Sequence, residues 1–152
     1  MTSISPEQLK KLQQHKDKLP PEIRAKVGKL LEERSDISAQ QQAQDSFMTY
    51  VNYVWPNFIH GAHHKKMAAA FERVARGECK RLIINMPPRH TKSEFASYLL
   101  PAWYLGRFPN RKIIQCSNTA ELAVGFGRKV RNLVDGEAYA KIFPNVALRH
   151  DS

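Results

Sequence analysis

Apolar residues recur at helical spacing over most of the chain and collapse into short runs rich in β-branched residues at two places only. Ser5-Pro6-Glu7 reads as a helix start: a serine N-cap, proline at the first helical position, then an acid. The polar helix it opens is predicted to reach Lys18 and to break at Leu19-Pro20-Pro21. Pro21-Glu22 opens another, with Ile23, Val27, Leu30 and Leu31 on one face. Ser38 to Gln44 is a low-complexity polar patch, a linker or an exposed helix. Residues 1–44 are thus expected to form a helical arm. From Asp45 the composition changes, and residues 45–152 read as one domain. Phe47, Tyr50, Val51 and Val54 give a helix that stops before Trp55-Pro56, since the residue ahead of a proline is pushed out of helical geometry. After a loop over Asn57 to Gly61, the positions His63, Met67, Ala70, Phe71 and Val74 face one way, and Gly77 is placed to end that helix.

The first β-branched run lies in Arg81-Leu82-Ile83-Ile84-Asn85-Met86, read as a buried strand stopped by Pro87-Pro88. Arg89-His90-Thr91-Lys92-Ser93 follows, and an amphipathic helix, Ser93 to Leu105 with Gly106 at its end, starts at once. Strand, tight loop, Lys-Ser, helix is the layout of a phosphate-binding loop. Backbone N–H groups and the helix N-terminus offer partial positive charge, a lysine reaches the β- and γ-phosphates, and a serine hydroxyl takes Mg²⁺. The usual glycines six residues and one residue before the lysine are replaced by Met86 and Thr91. The plain alternative is a strand, a proline turn and an exposed Lys-Ser pair with no ligand. The second run, Lys112 to Cys116, reads as another strand after the turn Phe108-Pro109-Asn110. Asn118 and Glu121 stand at capping-box spacing before a helix to about Val134, with Leu122, Phe126, Val130 and Leu133 inside and Arg128, Lys129 and Arg131 on or beside the outer face. Asp135-Gly136 closes it, and Tyr139 to Pro144 is a short last segment. Strands alternating with helices predict an α/β fold with parallel β-α-β pairing.

Charge sharpens this picture. The formal net charge is +10, with 8 basic and 7 acidic residues up to Asp45, against 16 and 7 from Ser46 onward. The excess travels with the loop and favours a polyanion, nucleotide or nucleic acid; the bland alternative is a basic, soluble surface. Two cysteines, Cys79 and Cys116, have no metal spacing and no disulfide framework, as in a reducing cytosol. No apolar run approaches membrane-spanning length, and no apolar core of a secretory signal follows Met1. His60, His63 and His64 cluster without an accompanying acid or thiol at ligand spacing, which favours a structural or nucleotide-edge role over a metal. Trp55 and Phe58 are candidates to stack on a base or to join the core. The Arg128, Lys129, Arg131 group is a candidate for DNA phosphates or a solvated helix face.

Arg81 to Met86 followed by Pro87-Pro88-Arg89-His90-Thr91-Lys92-Ser93-Glu94 resembles the deviant Walker A region of tailed-phage terminase large subunits. The context agrees: Gly61-Ala62-His63-His64 through Glu78 upstream, Leu100-Pro101-Ala102-Trp103-Tyr104-Leu105-Gly106-Arg107 and Ser117 to Arg131 downstream. The likeness covers roughly residues 45–146. It implies an incomplete P-loop NTPase of the additional-strand type behind a helical N-terminal arm, the front part of the ATP-driven motor that packages phage DNA. It implies ATP and Mg²⁺ as cofactors. Its partners would be double-stranded DNA, the portal protein, the small terminase subunit and further copies of the chain. It places the protein in the cytoplasm of a bacterial host, at the procapsid, with no membrane. By position, Pro88 to Ser93 would bind the nucleotide, with Lys92 and Arg89 as the catalytic pair: Lys92 would hold the β/γ-phosphates, Ser93 would ligate Mg²⁺, Thr91 would offer a backbone N–H, and His90 would shape the loop. Arg89 is a candidate to contact the γ-phosphate, and Phe58 to His63 would border the adenine.

The departures from that family are equally visible. Ser152 lies about 60 residues past Lys92, and no run of four apolar residues ending in Asp-Asp or Asp-Glu follows the lysine. The carboxylate that would hold Mg²⁺, the glutamate that would activate water and the nuclease carboxylates are not found. The 152-residue chain is therefore expected to hydrolyse ATP feebly or not at all. Two other readings stay open. One is a non-catalytic nucleotide-binding, DNA-binding or assembly fragment; the other is a helicase-like protein sharing only the loop.

Overall fold

A computed structural model describes residues 20–148. The Ser5-Pro6 helix start and the helix predicted to Lys18 lie outside them. The chain divides at Ser38 and Ala39 into two units. In the first, the described residues form the front of α1 (Pro21–Asp45), and Ile23, Leu30 and Ile37 of that stretch are about half exposed. The polar patch Ser38 to Gln44 is helical and forms the end of α1.

In the second unit α2 (Phe47–Val54) and α3 (Ala62–Ala75) follow. A π-helical run (Glu94–Leu99) leads without a break into α4 (Leu100–Arg107), and α5 (Ala120–Val134) and α6 (Glu137–Ile142) complete the order. Local chemistry sets the ends. Ser46 caps α2, its hydroxyl accepting from the Thr49 N–H, and the Glu72 carboxylate accepts the otherwise free N–H of Phe47 at 2.8 Å. At the end of α3, Gly77 takes φ +79°; its N–H donates to the Val74 carbonyl and that of Glu78 to the Arg73 carbonyl. This is the glycine stop predicted for that position.

The packing centre is aromatic. Phe47 is fully buried and meets the rings of Phe71, Phe95 and Trp103 edge-on at 5.4, 5.7 and 5.4 Å. Such contacts add about 0.5–1.5 kcal/mol each beyond area burial. Two polar tips are satisfied there: the Trp103 indole N–H donates to the Ala43 carbonyl, and the Tyr139 hydroxyl to that of Ala102, while the buried Tyr50 hydroxyl has no partner among the described residues. The π-helical run has a sequence cause. Pro101 has no N–H to return along the helix, and the freed Ser97 carbonyl accepts instead from the Gln115 side chain at 2.9 Å.

The expected α/β class is overturned. Among the described residues there is no β-strand and no sheet, so the parallel β-α-β core of a P-loop NTPase, additional strand included, is not present. Residues 81–86 and 112–116 carry no regular structure, and no backbone-to-backbone hydrogen bond joins them to each other or to any described residue. Ile83 and Ile114 are 85% and 89% exposed, where buried strands were predicted. β-Branched residues favour straight backbone, but a ladder needs neighbouring segments to take up its N–H and C=O groups, and two short strands alone make a marginal sheet. These segments are anchored by side chains instead: Ile84 and Met86 pack on the core, and Gln115 reaches Ser97. Two smaller expectations also change. Thr119, not Asn118, caps α5, its hydroxyl accepting from the Leu122 N–H. Gly106 does not end its helix but lies inside α4, where an added Cβ would fall 2.5 Å from the buried Phe143 ring. No described helix is long and apolar enough to cross a membrane.

The two glycines Gly106 and Gly127 test this packing against plain helix propensity. Gly127, inside α5, has nothing within 4 Å of an added Cβ. Gly127→Ala is expected to stabilise by up to about 1 kcal/mol, whereas Gly106→Ala is expected to cost about 1–3 kcal/mol through overpacking. Urea unfolding of the two variants checks the opposite signs; equal shifts would contradict the seating of Phe143 on α4.

Candidate phosphate-binding loop

Residues 86–94 line a concavity of ≈ 460 Å³ between the anchored segment 81–86 and the π-helical run. Met86 is partly buried against the core, and the two prolines after it are exposed. The backbone then turns through two left-handed residues, Arg89 at φ +64° and Thr91 at φ +55°. Arginine and threonine rarely adopt that region, and for a β-branched residue it is a true outlier, at a cost on the order of 1 kcal/mol each. Thr91 stands where the usual phosphate-loop pattern has glycine, and it takes up the conformation for which glycine is the easy choice.

Hydrogen bonds hold this shape. A His90 ring nitrogen, Nδ1, donates to the Pro88 carbonyl at 2.9 Å. The Thr91 hydroxyl donates to the His90 carbonyl at 2.7 Å. Beneath it, the ring of His64 in α3 meets the Thr91 hydroxyl through Nε2 at 2.5 Å. The Nδ1 of the same ring accepts the Gly61 N–H at 2.9 Å, closing the first turn of α3. Since Nδ1 accepts, the proton of the neutral ring sits on Nε2 and is donated to Thr91. His64 is only 6% exposed, packed against Phe58 and Phe95. Burial, and after it His63, His60 and His90, hold its pKa below the ordinary histidine range.

The helix begins at Thr91, whose carbonyl accepts from the Phe95 N–H at 3.0 Å. No described group takes up the N–H of Lys92, Ser93 or Glu94, so three backbone donors stand free at the loop. Arg89 and Lys92 form no ion pair with any described residue, and the Ser93 hydroxyl is exposed and without a described partner. Glu94 is engaged by Lys129 of α5 at 3.0 Å, which removes the nearest negative charge from the loop. Free N–H groups, a left-handed bend and two unpaired cations suit a polyphosphate. Among the described loop residues the Ser93 hydroxyl is the oxygen side chain with no protein partner, so it would share Mg²⁺ with phosphate oxygens and water.

The predicted loop residues Pro88, Arg89, His90, Thr91, Lys92 and Ser93 are thus brought together. Of the three clustered histidines, His64 belongs to the loop's support, and the His63 ring lies tilted against it, centroids 3.8 Å apart. Among the described residues, no three His, Cys, Asp or Glu side chains are grouped to hold a metal. Phe58 packs between Trp55 and Phe95 at 4.6 and 5.5 Å, as part of the core edge. In the basic group of α5, Lys129 is committed to Glu94, while Arg128 and Arg131 are exposed. The His64 contact with Thr91 was not legible in the sequence; the only sign was an imidazole three positions after the glycine that opens a helix, next to other histidines. No known protein family, curated protein or solved structure matches the chain.

Two substitutions at Thr91 separate strain from hydrogen bonding. Thr91→Val keeps the β-branched strain and loses the hydroxyl, with an expected loss of about 1–3 kcal/mol. Thr91→Gly also loses the hydroxyl but relieves the left-handed backbone, and is expected to recover about 1 kcal/mol of that loss. Denaturant midpoints compare them; a glycine variant less stable than the valine one would show that the backbone at Thr91 is unstrained.

Proposed function

We propose that residues 87–93 bind the phosphates of Mg-ATP, and that the chain serves as the front part of a DNA-packaging motor of the terminase large-subunit kind. The observation that carries the first part is the left-handed bend at Arg89 and Thr91, set against a helix start with three free N–H groups and an unpaired Lys92. The second part rests on the resemblance of residues 45–146, and with it come double-stranded DNA, the portal protein, the small subunit and further copies of the chain as partners.

Each loop residue has a role in this reading. Lys92 neutralises the β- and γ-phosphates. The free N–H groups of Lys92, Ser93 and Glu94, with that of Thr91 before them, hydrogen-bond to phosphate oxygens, and Arg89 meets the γ-phosphate from the exposed side. Pro88 and His90 fix the entry to the bend through the His90 bond to the Pro88 carbonyl. Mg²⁺, held in part by the Ser93 hydroxyl, would supply further charge neutralisation. Positioning and electrostatics of this kind are what phosphoryl transfer requires of a protein.

A specific observation favours binding without turnover in this chain. The only carboxylate within the loop segment 86–94 is Glu94, and it is tied to Lys129 rather than aimed at a water. A nucleotide-binding fragment that completes its catalytic set elsewhere is consistent with that.

Calorimetric titration with Mg-ATP, with turnover followed in the same samples, tests the reading. The chain is expected to bind, Lys92→Ala to weaken binding by at least about tenfold, and neither to release phosphate above background. Binding that Lys92→Ala leaves unchanged, or no binding by the parent chain, would overturn the phosphate loop. Turnover abolished by Lys92→Ala would overturn the non-catalytic reading.

A further inference from the structure

We propose that His64 is the positioning residue of the phosphate loop, holding Thr91 in its left-handed conformation from α3 so that the N–H groups behind it face the ligand. This rests on the phosphate reading of residues 87–93 and adds a residue outside them. One ring serves two elements: Nδ1 accepts the Gly61 N–H that opens α3, and Nε2 donates to the Thr91 hydroxyl. That hydroxyl passes the bond on to the His90 carbonyl. The residue whose backbone is most strained is thus the one gripped from below. The ring has little freedom, being 6% exposed and wedged between Phe58 at 4.9 Å and Phe95 at 5.0 Å. Phe95 is the residue whose N–H closes the first helical turn on the Thr91 carbonyl. His64 therefore touches both ends of the turn that carries Lys92 and Ser93.

The arrangement needs the neutral ring. A second proton must go to Nδ1, which is the acceptor for Gly61; protonation removes that bond and sets a positive ring against a backbone N–H. The titratable groups acting on His64 are His63 of the same helix, His60 of the preceding loop and His90 of the phosphate loop, and Phe58 and Phe95 add no charge. All of them oppose a second proton, as does burial. A freed ring takes up a proton more readily than the seated one, so acid favours release. The grip is complete above the ordinary histidine pKa of about 6.5 and weakens as pH falls below it.

Two variants and two readouts test this. Asparagine places its oxygen near the position of Nδ1, and glutamine places its nitrogen near that of Nε2. His64→Asn is expected to keep the α3 cap, and with it the helical signal, to lower the unfolding midpoint as Thr91→Val does, and to bind Mg-ATP about tenfold more weakly at pH 7.5. His64→Gln is expected to bind within about threefold of the parent and to lose the parent's extra weakening between pH 7.5 and 5.5. The nucleotide's own titration is common to both proteins and cancels in that comparison. Without nucleotide, the amide resonances of Thr91 and Lys92 in the parent chain are expected to follow the titration of the His64 ring and to be flat in His64→Gln. A Thr91 amide that ignores His64, or His64→Asn binding as tightly as the parent, would overturn the positioning role. Amides that follow His64 in a chain that binds no nucleotide would uphold the coupling and overturn the phosphate reading instead.

Discussion

The bond between the His64 ring and the Thr91 hydroxyl joins the start of one helix to the start of another, and the loop between residues 86 and 94 has its shape because of it. Thr91 would not remain left-handed on its own account, since a β-branched residue there costs on the order of 1 kcal/mol. The imidazole offsets this because both of its nitrogens are used and its faces are packed. Phe95 carries the constraint downward. It lies against His64, closes the first helical turn on Thr91, and meets Phe47, the buried hub that also receives Phe71 and Trp103. A chain of direct contacts therefore runs from the aromatic core to the free N–H groups at the surface.

Electrostatics then decides what such a loop can hold. Lys92 and Arg89 stand without counter-ions among the described residues, while Glu94, which would weaken their field, is taken by Lys129. The pairing is exposed and of small energetic weight, but its placement keeps a negative charge engaged beside the first helical turn. Free donors and unpaired cations stand together at the loop, the combination that suits an anionic ligand. The charge excess of residues 46–152 supplies a favourable long-range field for the same class of ligand.

The helices were legible in the sequence because each rule involved is local. Apolar spacing placed α2, α3 and α5, and the glycine after α3 was visible as a stop because a left-handed residue there is read from the chain itself. The strands were misread because pairing is not local. Leu82-Ile83-Ile84 and Ile113-Ile114 specify straight backbone, and nothing in those residues says whether a neighbour will complete a ladder. Gly106 looked like a helix end and is a point of close approach, since Phe143 comes from 37 positions further along. At the site, the residue types and spacing of Pro88 to Ser93 pointed to phosphate. The left-handed backbone at Arg89 and Thr91 needed three dimensions, because neither residue type advertises it. His64 was masked by its neighbours: three histidines in five positions suggested a metal or a nucleotide edge before they suggested a strut.

The central claim is that the amine of Lys92 stands at the phosphates of a bound nucleotide. An acyl phosphate of ATP, which transfers its acyl group to a lysine lying beside the phosphate chain, reads this position directly when labelled peptides are mapped by mass spectrometry. Lys92 is expected to be labelled ahead of the other lysines and to be protected by excess ATP. Labelling spread over exposed lysines such as Lys129 and Lys141, and indifferent to ATP, would contradict it.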